Sequence, residues 1–399
     1  MTPFYRNVPL LSVAQSLMMS ANSLIIASAA LVGASLAEDK SLATLPLAAQ
    51  FIAIMLTSIP ASLVMDRVGR KPAFILVTGV GMSAGALAAW AIITHSFWLF
   101  VTATVLVGIF NGFGNYYRFA AADAVAAPLK SRAISWVMVG GVIAAIVGPN
   151  LANQTKALID GAPFAGSYAA LIVIYLLSLL TVSALHLPHR FNNAREHDTA
   201  LQRPLSEIAR QPKFVVAILC AMLGYAVMSL VMTATPLAMH HHHHQFDDTV
   251  FVIQWHVLAM FAPSFVTGEL IRRFGVNLIM GIGALLGLLC VILNLAGTTL
   301  SHFWLALVAL GVSWNFLFIG GTTLLTETYE QAERAKVQAA NDFFVFTSVA
   351  LASLSAGYLQ HRLGWQAVNW GVVPLLLLIL GSLGWLAVAS RSVRQRAQA

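Results

Sequence analysis

The chain has 399 residues, 59% hydrophobic and 9% charged, with a mean hydropathy of +0.80 and a net charge of +7. A soluble domain carries about 25% charged residues, so these residues cannot cover a water-facing surface and lipid must be the solvent. The length admits about twelve apolar helices of ~20 residues each, and the apolar runs are too long for barrel strands, which cross in about ten. The two cysteines, Cys220 and Cys290, lie inside apolar segments and form no disulfide framework.

In chain order, Arg6 precedes a first apolar segment over 9–37, long enough to span and stay rather than be cleaved as a signal. Further spans are predicted at 42–64, 73–94, 97–119, 133–155, 164–187, 214–238, 250–270, 276–298, 303–325, 337–360 and 365–390. Twelve spans put both termini on one side. All but three of the 22 Lys and Arg residues fall on that side, the exceptions being Lys40, Lys156 and Arg362. The excess of positive charge marks the cytoplasmic face, which predicts a bacterial inner-membrane protein with both termini in the cytoplasm. The basic charge is thus a topology signal, and no nucleic-acid partner is implied. The longest polar stretch, His189 to Lys213, contains Pro204 and Pro212. It divides the chain into a six-helix half over 1–195, a cytoplasmic linker over 196–213 and a second six-helix half over 214–399.

The two halves carry a repeat. The loop after span two reads Ser62-Leu-Val-Met-Asp66-Arg67-Val-Gly69-Arg70-Lys71, and the loop after span eight reads Gly268-Glu-Leu-Ile-Arg272-Arg273-Phe-Gly275. The loops after spans four and ten, from Asp123 to Arg132 and from Glu327 to Lys336, share a second register. Repeated halves imply a site at their interface near mid-depth, reached alternately from each side. On these loops, and on Gly141 and the Gly148-Pro149 pair in span five, the chain resembles the major facilitator superfamily. That family's motif is G-x-L-x-D-R-x-G-R-K, from which Ser62 and Val64 depart. The resemblance implies an all-α membrane fold of twelve transmembrane helices in two pseudo-symmetric halves, usually monomeric. It also implies a conformational latch built from Asp66, Arg67, Gly69 and Arg70.

Spans seven and eight hold the most distinctive chemistry. Met228 and Met232 are spaced i, i+4, as are His256 and Met260, so each pair shares a helix face. At 1.5 Å per residue, Met232 and His256 lie roughly 9 Å below the outer end and Met228 and Met260 roughly 15 Å. Thioethers select Cu(I), and imidazole suits copper. Met239, His240, His241, His242, His243, His244, Asp247 and Asp248 stand just above as candidate metal-entry ligands. The four deeper residues also match, one by one, an MxxxM and HxxxM pattern of the CcoA-like branch of the superfamily. Named members of that branch import copper, and related members transport riboflavin. The expected function is therefore import of copper as Cu(I) by alternating access, with an intracellular copper acceptor as a partner. The alternative is transport of riboflavin or another small aromatic solute, for which Asn111, Asn115, Tyr117, Trp314 and Asn315 supply amides and aromatic rings, with Gln15, Asn22 and Gln254 as further polar residues inside spans. No nucleotide loop, HExxH or activated nucleophile is present, so neither an enzyme nor a resident cofactor is expected.

Overall fold

A computed structural model describes residues 3–125, 133, 136–137, 139–187, 203–330 and 333–398. The described structure is all-helical. The first half contains α1 (Pro3–Leu36), α2 (Leu45–Val68), α3 (Arg70–Ile93), α4 (Phe97–Gly114, extended by a short helix over Tyr117–Asp123), α5 (Gly140–Thr155) and α6 (Ala165–Ser183). The second half contains α7 (Pro212–His241), α8 (Phe246–Phe261, continued at a bend by a helix over Ser264–Phe274), α9 (Val276–Ala296), α10 (Leu300–Thr326) and α11 (Arg334–Gln398). Among the described residues, nine helices are long and apolar enough to cross a membrane, or ten if α8 and its continuation form one bent span. α11 breaks at Gly364 into two limbs that match the last two expected spans. A helix is described from Gly140 onward in the fifth. The junction between 195 and 196, and most of the loop from Asp123 to Arg132, lie outside the described residues.

Both halves have their own apolar core. One is built from residues between Val8 and Leu187, the other from residues between Ile208 and Leu386 with Ala27 and Ala145 added. Lipid leaves no water to pair the backbone, so each span satisfies its own N–H and C=O groups as a helix. The outer surface keeps large apolar side chains exposed, such as Leu76, Leu180 and Leu285.

The internal repeat is visible in the backbone. Gly69 and Gly275 have almost the same conformation, φ 90° and ψ 156° against φ 87° and ψ 149°. Each caps its helix by donating its N–H to the carbonyl four residues back, Met65 at 2.9 Å and Ile271 at 2.8 Å. This region of backbone space is essentially restricted to glycine, which is why both loops spend a glycine at the same register. Beside Gly69, the Arg70 guanidinium pairs with Asp123 at 2.6 Å and ties α3 to the end of the Tyr117–Asp123 helix. Arg67 is exposed, and the Asp66 side chain lies outside the described residues. In the second half, Arg203 grips Glu333 through both guanidinium and backbone N–H donors, fastening the segment before α7 to the start of α11. The Arg203 hydrogen bonds hold the Glu333 carboxyl down to about 2.

The halves meet closely toward the face opposite the termini. Gly357 donates to Thr44 Oγ1 at 3.0 Å, Asn150 Nδ2 to Gln254 Oε1 at 2.7 Å, and Lys156 pairs with Asp247 at 2.8 Å. Phe164 sits edge-on to Phe246 at 4.8 Å. In α5, Gly148 lets the helix press onto α1, where a Cβ would fall 2.5 Å from the Ser20 carbonyl oxygen, and Gly141 faces the Phe261 ring. At mid-depth, the Thr347 hydroxyl reaches Met55 Sδ at 3.3 Å.

Gly275→Ala and Gly69→Ala are each expected to lower stability by about 1–3 kcal/mol, the usual cost of holding a non-glycine residue in such a region. The helical, lipid-facing Gly79, around which no atom would crowd a Cβ, serves as a control whose Ala variant should be neutral or slightly stabilising. Thermal unfolding in detergent separates the two cases, and equal melting temperatures for all three variants would remove the strain argument.

Candidate functional site

A cavity of about 200 Å³ lies at mid-depth between the halves. Its two walls differ in chemistry. α1, α2 and α4 contribute Gln15, Asn22, Ser23, Gln50, Asn111 and Asn115, while α7 and α8 contribute Tyr225, Met228, Met232, Val257, Met260 and Phe261. Met18, Met19, Phe51 and Phe346 extend the apolar surface. None of the described lining residues is charged.

The polar wall is organised by Asn22. Its Oδ1 accepts from Gln50 Nε2 at 2.9 Å and from Asn111 Nδ2 at 2.6 Å. The three amides thereby fix one another's orientation across three helices. Polar atoms of this wall are left over: Gln50 Oε1 and Asn111 Oδ1 of the triad, with Gln15 Oε1 and Ser23 Oγ beside it, are buried without a protein partner. A buried unpaired polar group costs about 1–3 kcal/mol. Four of them on one wall call for an occupant that hydrogen-bonds there.

The apolar wall is backed by aromatic rings. Tyr225 sits edge-on to Trp314 at 5.3 Å and to Phe318 at 5.6 Å, and Trp314 stacks on Phe318 at 5.0 Å. Phe261 touches Trp314 at 6.0 Å. Three thioethers and the exposed faces of this cluster present a soft, polarisable surface to the cavity.

The expected foursome of α7 and α8 is split. Met228, Met232 and Met260 line the cavity, but His256 does not. Its imidazole is fully buried against α10, where Nδ1 donates to the Leu307 carbonyl at 2.8 Å and Nε2 has no partner. A carbonyl only accepts, so the proton is on Nδ1. Met239, expected among the entry ligands, is fully buried in the second-half core. His240, His241 and His243 are exposed on the far face. His242 is half-buried, and burial followed by the neighbouring imidazoles lowers its pKa. His244 bonds the Thr298 carbonyl at 2.7 Å, Asp248 caps α8 through the Gln245 N–H at 3.2 Å, and Asp247 is taken by Lys156. Among the described residues, no three His, Cys, Asp or Glu side chains converge to hold a metal ion.

The residues proposed for an aromatic solute divide as well. Asn111 and Asn115 line the cavity. Tyr117 is fully buried in the first-half core, edge-on to Phe74 at 4.7 Å, and Trp314 stands behind the wall. Asn315 has a structural task. α8 bends by 44° between Phe261 and Ser264, next to Pro263, whose ring cannot donate a backbone hydrogen bond. Asn315 Nδ2 donates to the Met260 carbonyl at the bend and to Ser264 Oγ, both at 2.7 Å, and its Oδ1 accepts from Thr267 Oγ1 at 2.6 Å. Gln50, Ser23, Met18, Met19, Tyr225 and Phe261 were missed by the sequence reading. For Gln50 the signal was present, since it is an amide inside an otherwise apolar run.

Two sets of apolar helices around a mid-depth cavity, with a loop motif repeated in register, have the architecture of a membrane transporter. The sequence profile of the Major Facilitator Superfamily matches residues 11–254 and 217–398, and the chain belongs to that family. It is 44% identical over 376 residues, 94% of each chain, to the riboflavin transporter RfnT of Brucella anthropi. Solved structures share the fold at low identity. A POT family transporter in complex with a thioalcohol-conjugated peptide has TM-score 0.75 at 12% identity, covering 97% of this chain and 96% of its own. A bacterial homolog of the human lysosomal transporter Spinster, inward-facing and occupied, has TM-score 0.71 at 16% identity, covering 96% of each chain.

Replacing Asn315 by Leu removes the brace at the α8 bend and orphans the Met260 carbonyl, while the Thr267 hydroxyl keeps the Pro263 carbonyl at 2.8 Å. The expected loss is about 1–3 kcal/mol for the orphaned group, read as a lower melting temperature. Asn315→Asp, which sets a carboxylate oxygen against the Met260 carbonyl in a fully buried site, should be no more stable than the Leu variant. Wild-type stability of the Leu variant would show that the brace carries nothing.

Proposed function

We propose that this protein carries riboflavin, or a closely related neutral flavin, across the bacterial inner membrane by alternating access, with both termini in the cytoplasm. The observation that supports this reading most is the two-walled cavity. A flavin ring has a pyrimidine edge with one N–H donor flanked by carbonyl acceptors, and an apolar benzenoid end. The amides of Asn22, Gln50 and Asn111 offer the complementary acceptors and donors to the edge. The methionine and aromatic wall suits the benzenoid end, since sulfur–aromatic contacts contribute about 0.3–1.5 kcal/mol each. Ser23 and Gln15 are placed for hydroxyls of the side chain. An uncharged wall fits an uncharged solute, because a charge buried there would lack a counter-charge. The resemblance over the whole chain to a protein named for riboflavin transport points the same way.

The copper reading keeps three thioethers in the cavity but loses its imidazole to α10 and finds no donor cluster in the histidine loop. It is therefore the weaker of the two. The cavity is smaller than the roughly 300–1,000 Å³ of ordinary ligand clefts, so loading requires the halves, 1–195 and 214–399, to part about the linker at 196–213. The ties near the far face hold the two halves together on that side.

Uptake of labelled riboflavin and of copper, measured side by side in cells, tests the reading. Wild type should accumulate riboflavin. Asn22→Ala and Asn111→Ala should each reduce uptake about tenfold or more at limiting solute, the equivalent of ~1.4 kcal/mol. Met228→Leu, which keeps the volume and removes the sulfur, should cost riboflavin uptake less than threefold. Copper accumulation without riboflavin accumulation, abolished by Met228→Leu, would overturn the proposal.

A further inference from the structure

A second cavity, of about 850 Å³, lies on the far face, away from the central site. It is enclosed by the outer ends of α1, α7 and α9, the turn before α2, and the break in α11 at Gly364. Its charge is one-sided: among the described residues, Lys40, His240, His241, His242 and His361 line it and no carboxylate does. Lys40 spends one ammonium donor on the Ala37 carbonyl at 2.7 Å, leaving two.

The inner end of this cavity is a built polar surface. Asn294 is 2% exposed and Trp365 5%, and both line it. Asn294 Nδ2 donates to Asn369 Oδ1 at 2.8 Å, and Asn369 Nδ2 donates to the Trp365 carbonyl at 2.9 Å. This chain of bonds fixes the Asn294 amide and ties it to the backbone that carries the indole. It leaves Asn294 Oδ1 and Trp365 Nε1 buried and without partners, and Gln360 Oε1, also in the lining, is in the same state. Two acceptors and one donor are thus unmet beside an aromatic ring and beneath a ring of cationic or cationisable groups. A buried polar network with unmet members is costly, which makes a resident ligand the economical explanation.

We propose that this far-face cavity is a second binding site, for an organic anion that combines a planar amide-edged ring with a phosphate or carboxylate. The ring edge meets Asn294, Gln360 and Trp365, and the anionic group meets Lys40 and the imidazoles. The choice of a flavin-type ring rests on the proposed transport function; the preference for an anion rests on the cavity's own charge. The site differs from the uncharged central cavity in the sign of the solute it favours, so the two sites discriminate a phosphorylated from an unphosphorylated form of one ring.

Titration of the purified full-length protein with flavin mononucleotide and with riboflavin, followed calorimetrically, tests this. Wild type should bind flavin mononucleotide. Lys40→Gln and Trp365→Phe, which keeps an aromatic ring but no donor, should each weaken that binding at least tenfold. Asn22→Ala, in the central cavity, should leave it unchanged while weakening riboflavin. Gln360→Leu, which removes the third polar group of the inner surface, should also weaken flavin mononucleotide binding, with unchanged melting temperature as the check on folding. Absence of flavin mononucleotide binding to wild type, or its loss in Asn22→Ala with retention in Lys40→Gln and Trp365→Phe, would overturn the second site. Failure of the transport reading would appear separately, as absent riboflavin uptake by cells.

Discussion

Inside a bilayer, a polar group that finds no partner within the protein has no water to fall back on. The whole molecule follows from that constraint. Helices absorb the backbone, apolar side chains face lipid, and serine and threonine hydroxyls fold back onto carbonyls of their own helix, as Ser28 does to Leu24 at 2.9 Å and Thr235 to Val231 at 2.8 Å. The amides are the exception. Asn22, Gln50 and Asn111 pair with one another from three helices and still present unmet acceptors to the central cavity. Where a membrane protein tolerates unmet polarity at mid-depth, a solute or water has to supply the missing bonds. In the central cavity that need falls on the wall opposite three methionines.

The bend in α8 links this cavity to the terminal face. Met260 and Phe261 form part of the cavity wall, and the next residues begin the Ser264–Phe274 limb that ends at Gly275. Asn315 holds the bend by answering the carbonyl of Met260 itself. A solute that shifts Met260 therefore pulls on the same amide that sets the angle of the limb. The limb ends in Gly275, the glycine that mirrors Gly69.

Much of the fold was legible because its determinants are local or periodic. Apolar run length gave the spans, and the loops ending at Gly69 and Gly275 gave the repeat, since a glycine-only backbone conformation leaves a glycine in sequence. The break at Gly364 and the bend beside Pro263 show how two adjacent spans merge into one long helix and how one span divides. The site was legible in part. Met228 and Met232 face the cavity as their i, i+4 spacing suggests. His256 and Met260 have the same spacing but separate, because α8 lies between the cavity and α10, and one turn of helix is enough to change which neighbour a side chain meets. The amide triad was the least legible feature. Its members are 28 and 89 residues apart in sequence, and nothing local distinguishes Asn22 from Asn315, whose amide serves a bend rather than a solute. Tyr117 and Trp314 were misplaced for the same reason: composition marks a ring as polar-tipped or bulky, and only tertiary packing shows whether it lines a cavity or stands behind its wall.

The central claim is that the amide wall and the methionine wall grip the two ends of one flavin ring. A structure of the protein determined with saturating riboflavin tests it most directly. The account predicts density for the ring in the central cavity, with its pyrimidine edge against Asn22, Gln50 and Asn111 and its benzenoid end against Met228, Met232 and Met260. An empty central cavity at saturation, or a metal ion held among those methionines in its place, would contradict it.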